Sequence, residues 1–396
     1  MKQVLIIARQ APPYYSGAGQ SLLLTARALS SAGVPCTLLS TRRRGDAVPA
    51  REDIDGVRIR RYTVRWRRHP APLFHLQCAW WLLWHGRGVS VIQFANMPLR
   101  WRPLRWIAAL YRIPVSLRMT AVGLDDLASL QAKLGAARLR SFATVRGYLL
   151  ISEEFARLSR PYVRPTTQMR VLPKLMDCER YSPLPETERR QLRAELGLDN
   201  HQPVLLFTGV LNARKRPDLL IRALPAVRRA HPNVRLLLVG PGAKWDGATG
   251  DHNRDYPQRL RALAQELALG SACEFVGEVR DVERYYRAAD LMVLPSRQEG
   301  VPSALLEAMA CALPVLLTAA SWISGELVRD GQTALLAPED ADAEVLAQAI
   351  ITALDNPEQT RAIGAAARTL VVEKHSAGAV IPQLQDYFAR LRRPQA

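Results

Sequence analysis

The sequence has only five cysteines among 396 residues, and no two of them form a C-x-x-C pair. The seven histidines likewise show no spacing typical of a metal site. Scattered cysteines suit a reducing compartment and argue against a disulfide-stapled scaffold or a zinc site. We therefore expect no structural metal.

Long apolar runs are also absent, since no stretch reaches the ~18–20 apolar residues that a membrane-spanning helix needs. The nearest candidate, residues 72–85, contains two histidines and a glutamine, which predicts a helix packed on the first sheet. The N-terminus runs straight into a strand without the pattern of a signal peptide. We predict a cytoplasmic protein.

Acidic residues are scarce in the first half of the chain. Residues 1–190 hold 31 Lys and Arg but 12 Asp and Glu, whereas the remainder is nearly balanced, with 23 basic and 24 acidic residues. Arginine clusters at 58–61, 65–68 and 100–105 are interleaved with tryptophans. This pattern favours an anionic membrane face or a phosphorylated acceptor. Nucleic acid is the alternative on charge alone; genome composition explains arginine in place of lysine but not the shortage of acids.

Apolar runs of strand length alternate with helical stretches throughout the chain, which predicts parallel α/β sheets, and the length suits two domains. Strands are predicted near residues 2–8, 35–40, 57–63, 89–94, 113–118, 146–151, 168–173, 203–209, 234–240, 272–276, 291–295, 314–318 and 333–337. The segment around 183–196 is predicted to connect the two domains.

The most informative stretch is residues 296–315, where Glu299 and Glu307 lie eight positions apart around a loop-to-helix transition. Gly300 permits a tight turn, and Pro302 suits the first helical position. Ligands of open α/β sheets bind at this edge, where a helix start also attracts phosphate. The alternative is a helix start flanked by two solvated glutamates.

The segment Glu299-Gly-x-Pro-x4-Glu307-Ala-Met-Ala resembles the Glu-x7-Glu signature of retaining glycosyltransferases with the GT-B fold, family 4 in particular. The resemblance implies two facing Rossmann-like domains with a cleft between them. Residues 1–183 would bind the acceptor and residues 184–376 the sugar nucleotide, with a helix at about 377–393 crossing back to the first domain.

Other segments extend the resemblance. Gly17 and Gly19 follow the first strand, as in the family's glycine-rich loop beside the donor. Gly209 ends the strand that opens the second domain, and Arg214 and Lys215 match a basic pair that holds the leaving diphosphate. The chain departs from the family at Val210, where a basic residue is common. It also departs at Lys174–Leu175, which replace Asn-Gly.

The resemblance implies a role for each matched residue. Glu307 would accept hydrogen bonds from the ribose hydroxyls, and the basic pair would neutralise charge on the leaving group. The catalytic residues would be Glu299, Lys215 and Arg214; the donor-binding residues would be these three with Gly17, Gly19, Gly209, Gly300, Val301, Pro302 and Glu307. No cofactor is implied, because the nucleoside diphosphate sugar is a co-substrate.

The loop after the strand near 113–118 lacks the histidine that the family often has there. Asp125 and Asp126 lie in this loop, where they would meet an acceptor hydroxyl or, equally, cap a helix.

Taken together, the sequence predicts a retaining, metal-independent glycosyltransferase. It would move a hexose-type sugar from a nucleoside diphosphate sugar, UDP-sugar favoured, to a glycan or lipid-linked acceptor in cell-envelope polysaccharide or glycolipid synthesis. We expect no nucleic-acid partner. The alternatives are a non-catalytic GT-B partner subunit and a sugar-nucleotide epimerase.

Overall fold

A computed structural model of the chain describes residues 2–14, 17–64, 71–95, 102–119, 126–135, 145–242, 255–297, 301–318 and 325–393. The chain divides into two compact units by its internal contacts. Unit 1 comprises Met1–Leu175 and His375–Ala396, and unit 2 comprises Met176–Lys374.

The strands are β1 (Gln3–Ile7), β2 (Cys36–Arg43), β3 (Arg51–Ile54), β4 (Val57–Val64), β5 (Val89–Phe94), β6 (Val115–Arg118), β7 (Gly147–Leu150), β8 (Gln168–Val171), β9 (Val204–Thr208), β10 (Arg235–Val239), β11 (Cys273–Gly277), β12 (Leu291–Leu294), β13 (Val315–Thr318) and β14 (Leu335–Ala337). The helices are α1 (Gly17–Ser31), α2 (Ala71–His85), α3 (Arg102–Leu110), α4 (Leu127–Leu134), α5 (Glu153–Ser159), α6 (Glu186–Glu195), α7 (Pro217–Ala230), α8 (Tyr256–Glu266), α9 (Glu283–Ala288), α10 (Ser303–Ala310), α11 (Ala343–Asp355), α12 (Pro357–His375) and α13 (Ala377–Arg392).

Each unit contains one sheet. The sheet of unit 1 has the order β3-β4-β2-β1-β5-β6-β7-β8 and is parallel except for β3, which pairs antiparallel with β4. The sheet of unit 2 has the order β11-β10-β9-β12-β13-β14 and is parallel throughout. The predicted α/β class with two parallel sheets is confirmed.

The central strands are continuous apolar runs because helices cover both faces of a parallel sheet. All residues of β9 and β12 are buried, and they contribute to two core clusters of unit 2 on opposite faces of the sheet. β3 was not predicted. Its sequence, Arg-Glu-Asp-Ile, is charged and half exposed, as expected of an edge strand that avoids pairing with another chain.

Helix α13 belongs to unit 1. Its Tyr387 Oη lies 2.7 Å from Ser116 Oγ of β6, and both groups are buried. Within the described residues, no helix has the length and apolar character needed to cross a membrane.

Candidate active site

The strand order of unit 2 reverses between β9 and β12. From β9 the chain adds β10 and β11 on one side, and then returns to place β12 on the other side. Loops that follow the two strands diverge at such a switch point and leave a crevice at the carboxyl edge, where open α/β sheets bind ligands. Here a hydrogen bond from Arg297 N to Arg214 O, 3.0 Å long, joins the loop after β12 to the loop after β9.

Two glycines bring the backbone close together beside this crevice. Gly209 follows β9 and Gly240 follows β10, with φ angles of +138° and +142° that L side chains rarely adopt. A Cβ on Gly240 would lie 2.1 Å from the carbonyl oxygen of Gly209. A Cβ on Gly209 would lie 3.1 Å from Cε and Nζ of Lys215, so the lysine chain lies across the glycine backbone. Only glycine suits both positions.

The basic pair lies on a short 3₁₀ turn, Ala213–Lys215, between β9 and α7. Asn212 caps the turn, with its side-chain oxygen accepting a hydrogen bond from Lys215 N at 3.1 Å. Pro217 opens α7 and disfavours right-handed helical geometry at Arg216, which adopts φ +51° and separates the turn from the helix. Lys215 is 9% exposed, so this cation is nearly buried at the carboxyl edge of the sheet.

Glu307 lies in the second turn of α10, the helix that follows β12. Pro302 was predicted as the first helical residue, but it is the N-cap, and the helix begins one position later at Ser303. The Glu307 side chain is half-buried, and its Oε2 accepts a hydrogen bond of 2.8 Å from the hydroxyl of Tyr286 on α9. The Tyr286 hydroxyl also lies 2.7 Å from Thr208 Oγ1 at the end of β9.

The direction of these hydrogen bonds follows from the protons available. Burial, followed by the nearby Glu307 carboxylate, raises the pKa of Tyr286 well above its ordinary value of 10.0, so the phenol stays protonated. Its single proton is donated to Glu307, and Thr208 therefore donates its own proton to the Tyr286 oxygen. These two hydrogen bonds, which we call the Thr208–Tyr286 relay, therefore hold the Glu307 side chain in a fixed position relative to the end of β9.

The structure places several other predicted residues. Gly17 is the first residue of α1, and a Cβ on Gly19 would lie 2.3 Å from the carbonyl oxygen of Gln10. Glycine at 19 therefore lets α1 pack against the segment after β1. Val301 and Pro302 directly precede α10. Their roles toward a donor stay predictions.

Three predicted residues, Glu299, Gly300 and Asp125, lie outside the described part of the chain. Asp126 is the N-cap of α4, and its Oδ1 accepts a hydrogen bond of 2.8 Å from Ser129 N. The capping alternative therefore describes this side chain, and a contact with an acceptor stays a prediction. Among the residues that the structure describes, no group of three or more His, Cys, Asp or Glu is arranged to hold a metal ion.

Sequence reasoning missed Tyr286, Thr208 and Asn212. Asn212 had a detectable signal, because asparagine is a strong cap three residues before a turn closes. Tyr286 had none, because it stands next to Tyr285 and only the packing of α9 shows which tyrosine faces the core.

Comparisons with known proteins show what the chain is similar to. Residues 188–370 match the family described as "Glycosyl transferases group 1". A D-inositol 3-phosphate glycosyltransferase of Segniliparus rotundus is 32% identical over 223 residues, which cover 54% of this chain and 45% of that protein. A GDP-mannose-dependent monoacylated alpha-(1-6)-phosphatidylinositol monomannoside mannosyltransferase of Corynebacterium glutamicum is 32% identical over 209 residues, half of each protein. The chain thus spans about half the length of the curated relatives it matches.

Among solved structures, HepE of Anabaena in complex with UDP and glucose is similar with a TM-score of 0.74. The match covers 98% of this chain and 100% of that chain at 19% identity. At this identity the likeness shows the fold alone: the chain has the GT-B fold.

Proposed function

From the match of residues 188–370 to the family described as "Glycosyl transferases group 1" we propose that the chain is a metal-independent, anomer-retaining glycosyltransferase. The observation that carries the proposal is the convergence of Lys215, Arg214 and Glu307 on the switch point between β9 and β12. A buried cation and a fixed carboxylate at one crevice suit a nucleoside diphosphate, which carries anionic phosphates and ribose hydroxyls.

Each group has a separate task in this proposal. Glu307 accepts hydrogen bonds from the ribose hydroxyls, while Glu299 and the backbone of 300–302 hold the sugar and the phosphate next to the start of α10. Lys215 and Arg214 stabilise negative charge as the diphosphate departs. Their effect is largest in the transition state, because charge on the leaving group grows as its bond to the sugar breaks.

Retention requires the acceptor oxygen to attack the face of the sugar from which the diphosphate leaves. The bond from the anomeric carbon to the diphosphate breaks, and the departing phosphate takes the proton of the acceptor hydroxyl. The two glutamates are therefore not an acid and base flanking one bond, as in glycosidases.

The donor proposed from the sequence is a UDP-sugar, and GDP-mannose is its competitor because two relatives are named as GDP-mannose-dependent. The acceptor we propose is a glycan or lipid-linked molecule of cell-envelope polysaccharide or glycolipid synthesis, reached at the cytoplasmic face of the membrane. Two relatives carry phosphorylated inositol acceptors in their names, which supports an anionic acceptor. The basic balance of residues 1–190 supports it independently. Asp125 is the proposed contact to an acceptor hydroxyl, whereas Asp126 caps α4 with a side chain that is 1% exposed.

Thermal unfolding with UDP, GDP and ADP tests the donor site, because a ligand at a hundred times its Kd stabilises the folded protein by ~2.7 kcal/mol. Chromatography of UDP-glucose and GDP-mannose after long incubation then tests chemistry. We expect one nucleotide to stabilise the protein and its sugar to be released slowly. Binding without release indicates the non-catalytic subunit, an isomerised sugar nucleotide indicates the epimerase, and no stabilisation by any nucleotide contradicts the proposal.

A further inference from the structure

Helix α2 is apolar on both of its sides. Phe74, Cys78, Trp81 and Leu82 face the core of unit 1 and are at most 6% exposed. A helix that is hydrophobic all round normally has its second side covered as well. On α2 the second side is open, so it requires a separate explanation.

The open side forms one surface with the neighbouring helix α3. We define the α2–α3 face by its large apolar side chains, which are 38–71% exposed: Leu73, Leu76, Trp80, Leu83, Trp84, Trp106 and Leu110. The rings of Trp80 and Trp84 meet edge to face at 5.9 Å between centroids. Tyr111, just after α3, donates a hydrogen bond of 2.7 Å to the carbonyl oxygen of Leu83, which ties the end of α3 to α2.

The stretch of sequence that contains α2 and α3 has charge of a single sign. Residues 56–124 contain twelve arginines and no aspartate, glutamate or lysine. Arg87 and Arg112 directly follow the two helices, and Arg102 is the first residue of α3; all three are exposed. A face of tryptophan and leucine in a stretch of chain whose only charged side chains are arginines is complementary to a surface that is both apolar and anionic.

We propose that the α2–α3 face binds an anionic lipid bilayer, with its tryptophans and leucines in the interfacial layer and its arginines on the lipid headgroups. Tryptophan prefers the membrane interface because its ring is apolar while its N–H still finds a polar partner. Arginines beside the face add attraction to anionic lipid that falls as salt rises. A protein partner or a second copy of the chain is the competing occupant, and the absence of carboxylates from the sequence of residues 56–124 argues for lipid.

The proposal rests on the membrane-linked acceptor proposed above. It adds the surface that would hold unit 1 at the membrane where such an acceptor is found. Its readout is nevertheless vesicle binding, which requires no nucleotide. A failure of the donor site therefore leaves this test intact, and the reverse also holds.

Flotation of the full chain with phosphatidylglycerol-containing and pure phosphatidylcholine vesicles, at low and high salt, tests the proposal. We expect binding to the anionic vesicles only, and less of it at high salt. Trp80→Ser together with Trp84→Ser should weaken binding on the order of tenfold or more. Each substitution removes the favourable free energy of moving a large apolar ring out of water. Arg87→Gln should weaken binding less, by a few-fold.

Exposed residues of unit 2 provide matched controls. Val345→Gln and Arg229→Gln remove an exposed apolar side chain and an exposed arginine elsewhere, and both variants should bind vesicles like the parent. Analytical ultracentrifugation identifies the competing occupant. The proposal is overturned by binding that ignores lipid charge, by the absence of binding, by tryptophan variants that bind like the parent, or by a dimer that the tryptophan substitutions dissociate.

Discussion

Among single residues, Tyr286 determines how Glu307 is presented. It stands between Thr208 and Glu307 with hydrogen bonds of 2.7 and 2.8 Å, and it is 1% exposed. Tyr286→Phe keeps the ring and removes the donor, so we expect nucleotide affinity to fall by about 1 kcal/mol, the net value of one hydrogen bond.

Calorimetric titration with the nucleotide that binds best measures this change, and Tyr285→Phe on the same helix is the control. Equal losses in the two variants would mean that Tyr286 contributes packing rather than positioning.

The basic pair is predicted to act on the leaving group. Arg214→Ala and Lys215→Met should each lower kcat/KM for the sugar nucleotide by about 10²–10³, the usual cost of losing a preorganised charge-stabilising group. Affinity for the bare nucleoside should change little. Lys215→Met keeps the chain that lies over Gly209, so steady-state kinetics of this variant report the charge alone.

Arg222→Ala serves as the control, because this arginine is exposed on α7, just beyond the same turn. If the Arg214 and Lys215 variants both have the kcat/KM of the parent, the basic pair has no role in stabilising the leaving group.

At the level of secondary-structure elements, the close approach of the loops after β9 and β10 depends on Gly240. Gly240→Ala combines a φ of +142° with a contact of 2.1 Å to a carbonyl oxygen. Strain of this kind costs at least about 2 kcal/mol, which lowers the Tm of a unit of this size by about 4–8 °C.

Differential scanning calorimetry measures the shift. Gly325→Ala is the matched control in the same unit, because a Cβ there meets nothing within 4 Å and φ is ordinary. A Gly240→Ala variant as stable as this control would contradict the packing described here.

Most elements could be predicted from sequence because buried parallel strands are apolar runs, which tertiary contacts reinforce rather than override. β3 could not be found this way, since its residues are charged. The hairpin between β3 and β4 nevertheless had a turn signal: Asp55 and Gly56 both take positive φ, 50° and 77°.

The site was predictable where residues follow strands, as Lys215 and Glu307 do. The Thr208–Tyr286 relay was not, because it joins groups 78 positions apart.

On the scale of the whole molecule, unit 1 is built from two separate chain segments, and His375 joins them. Its Nδ1 donates to the carbonyl oxygen of Lys174 at 2.7 Å, and the side chain is buried. Burial lowers the pKa of His375 below its ordinary value of 6.5, so the unfolded chain binds a proton more readily than the folded one. The contribution to stability is therefore complete above pH 6.5 and is lost as pH falls below it.

Thermal unfolding from pH 5 to 8 should show this loss in the parent and a flatter profile in His375→Gln. His201→Gln, at an exposed histidine, should keep the profile of the parent. A parent profile that is flat below pH 6.5 would be at odds with a neutral buried histidine.

The central claim is that the crevice between β9 and β12 binds a nucleoside diphosphate through Glu307. Isothermal titration of UDP and GDP into the parent, Glu307→Ala and, as a control, the exposed Glu339→Ala tests it most directly. We predict that Glu307→Ala weakens binding of the preferred nucleotide by about 1.5–3 kcal/mol, the scale of a charged hydrogen bond, while Glu339→Ala binds like the parent. Unchanged affinity in Glu307→Ala would contradict the account.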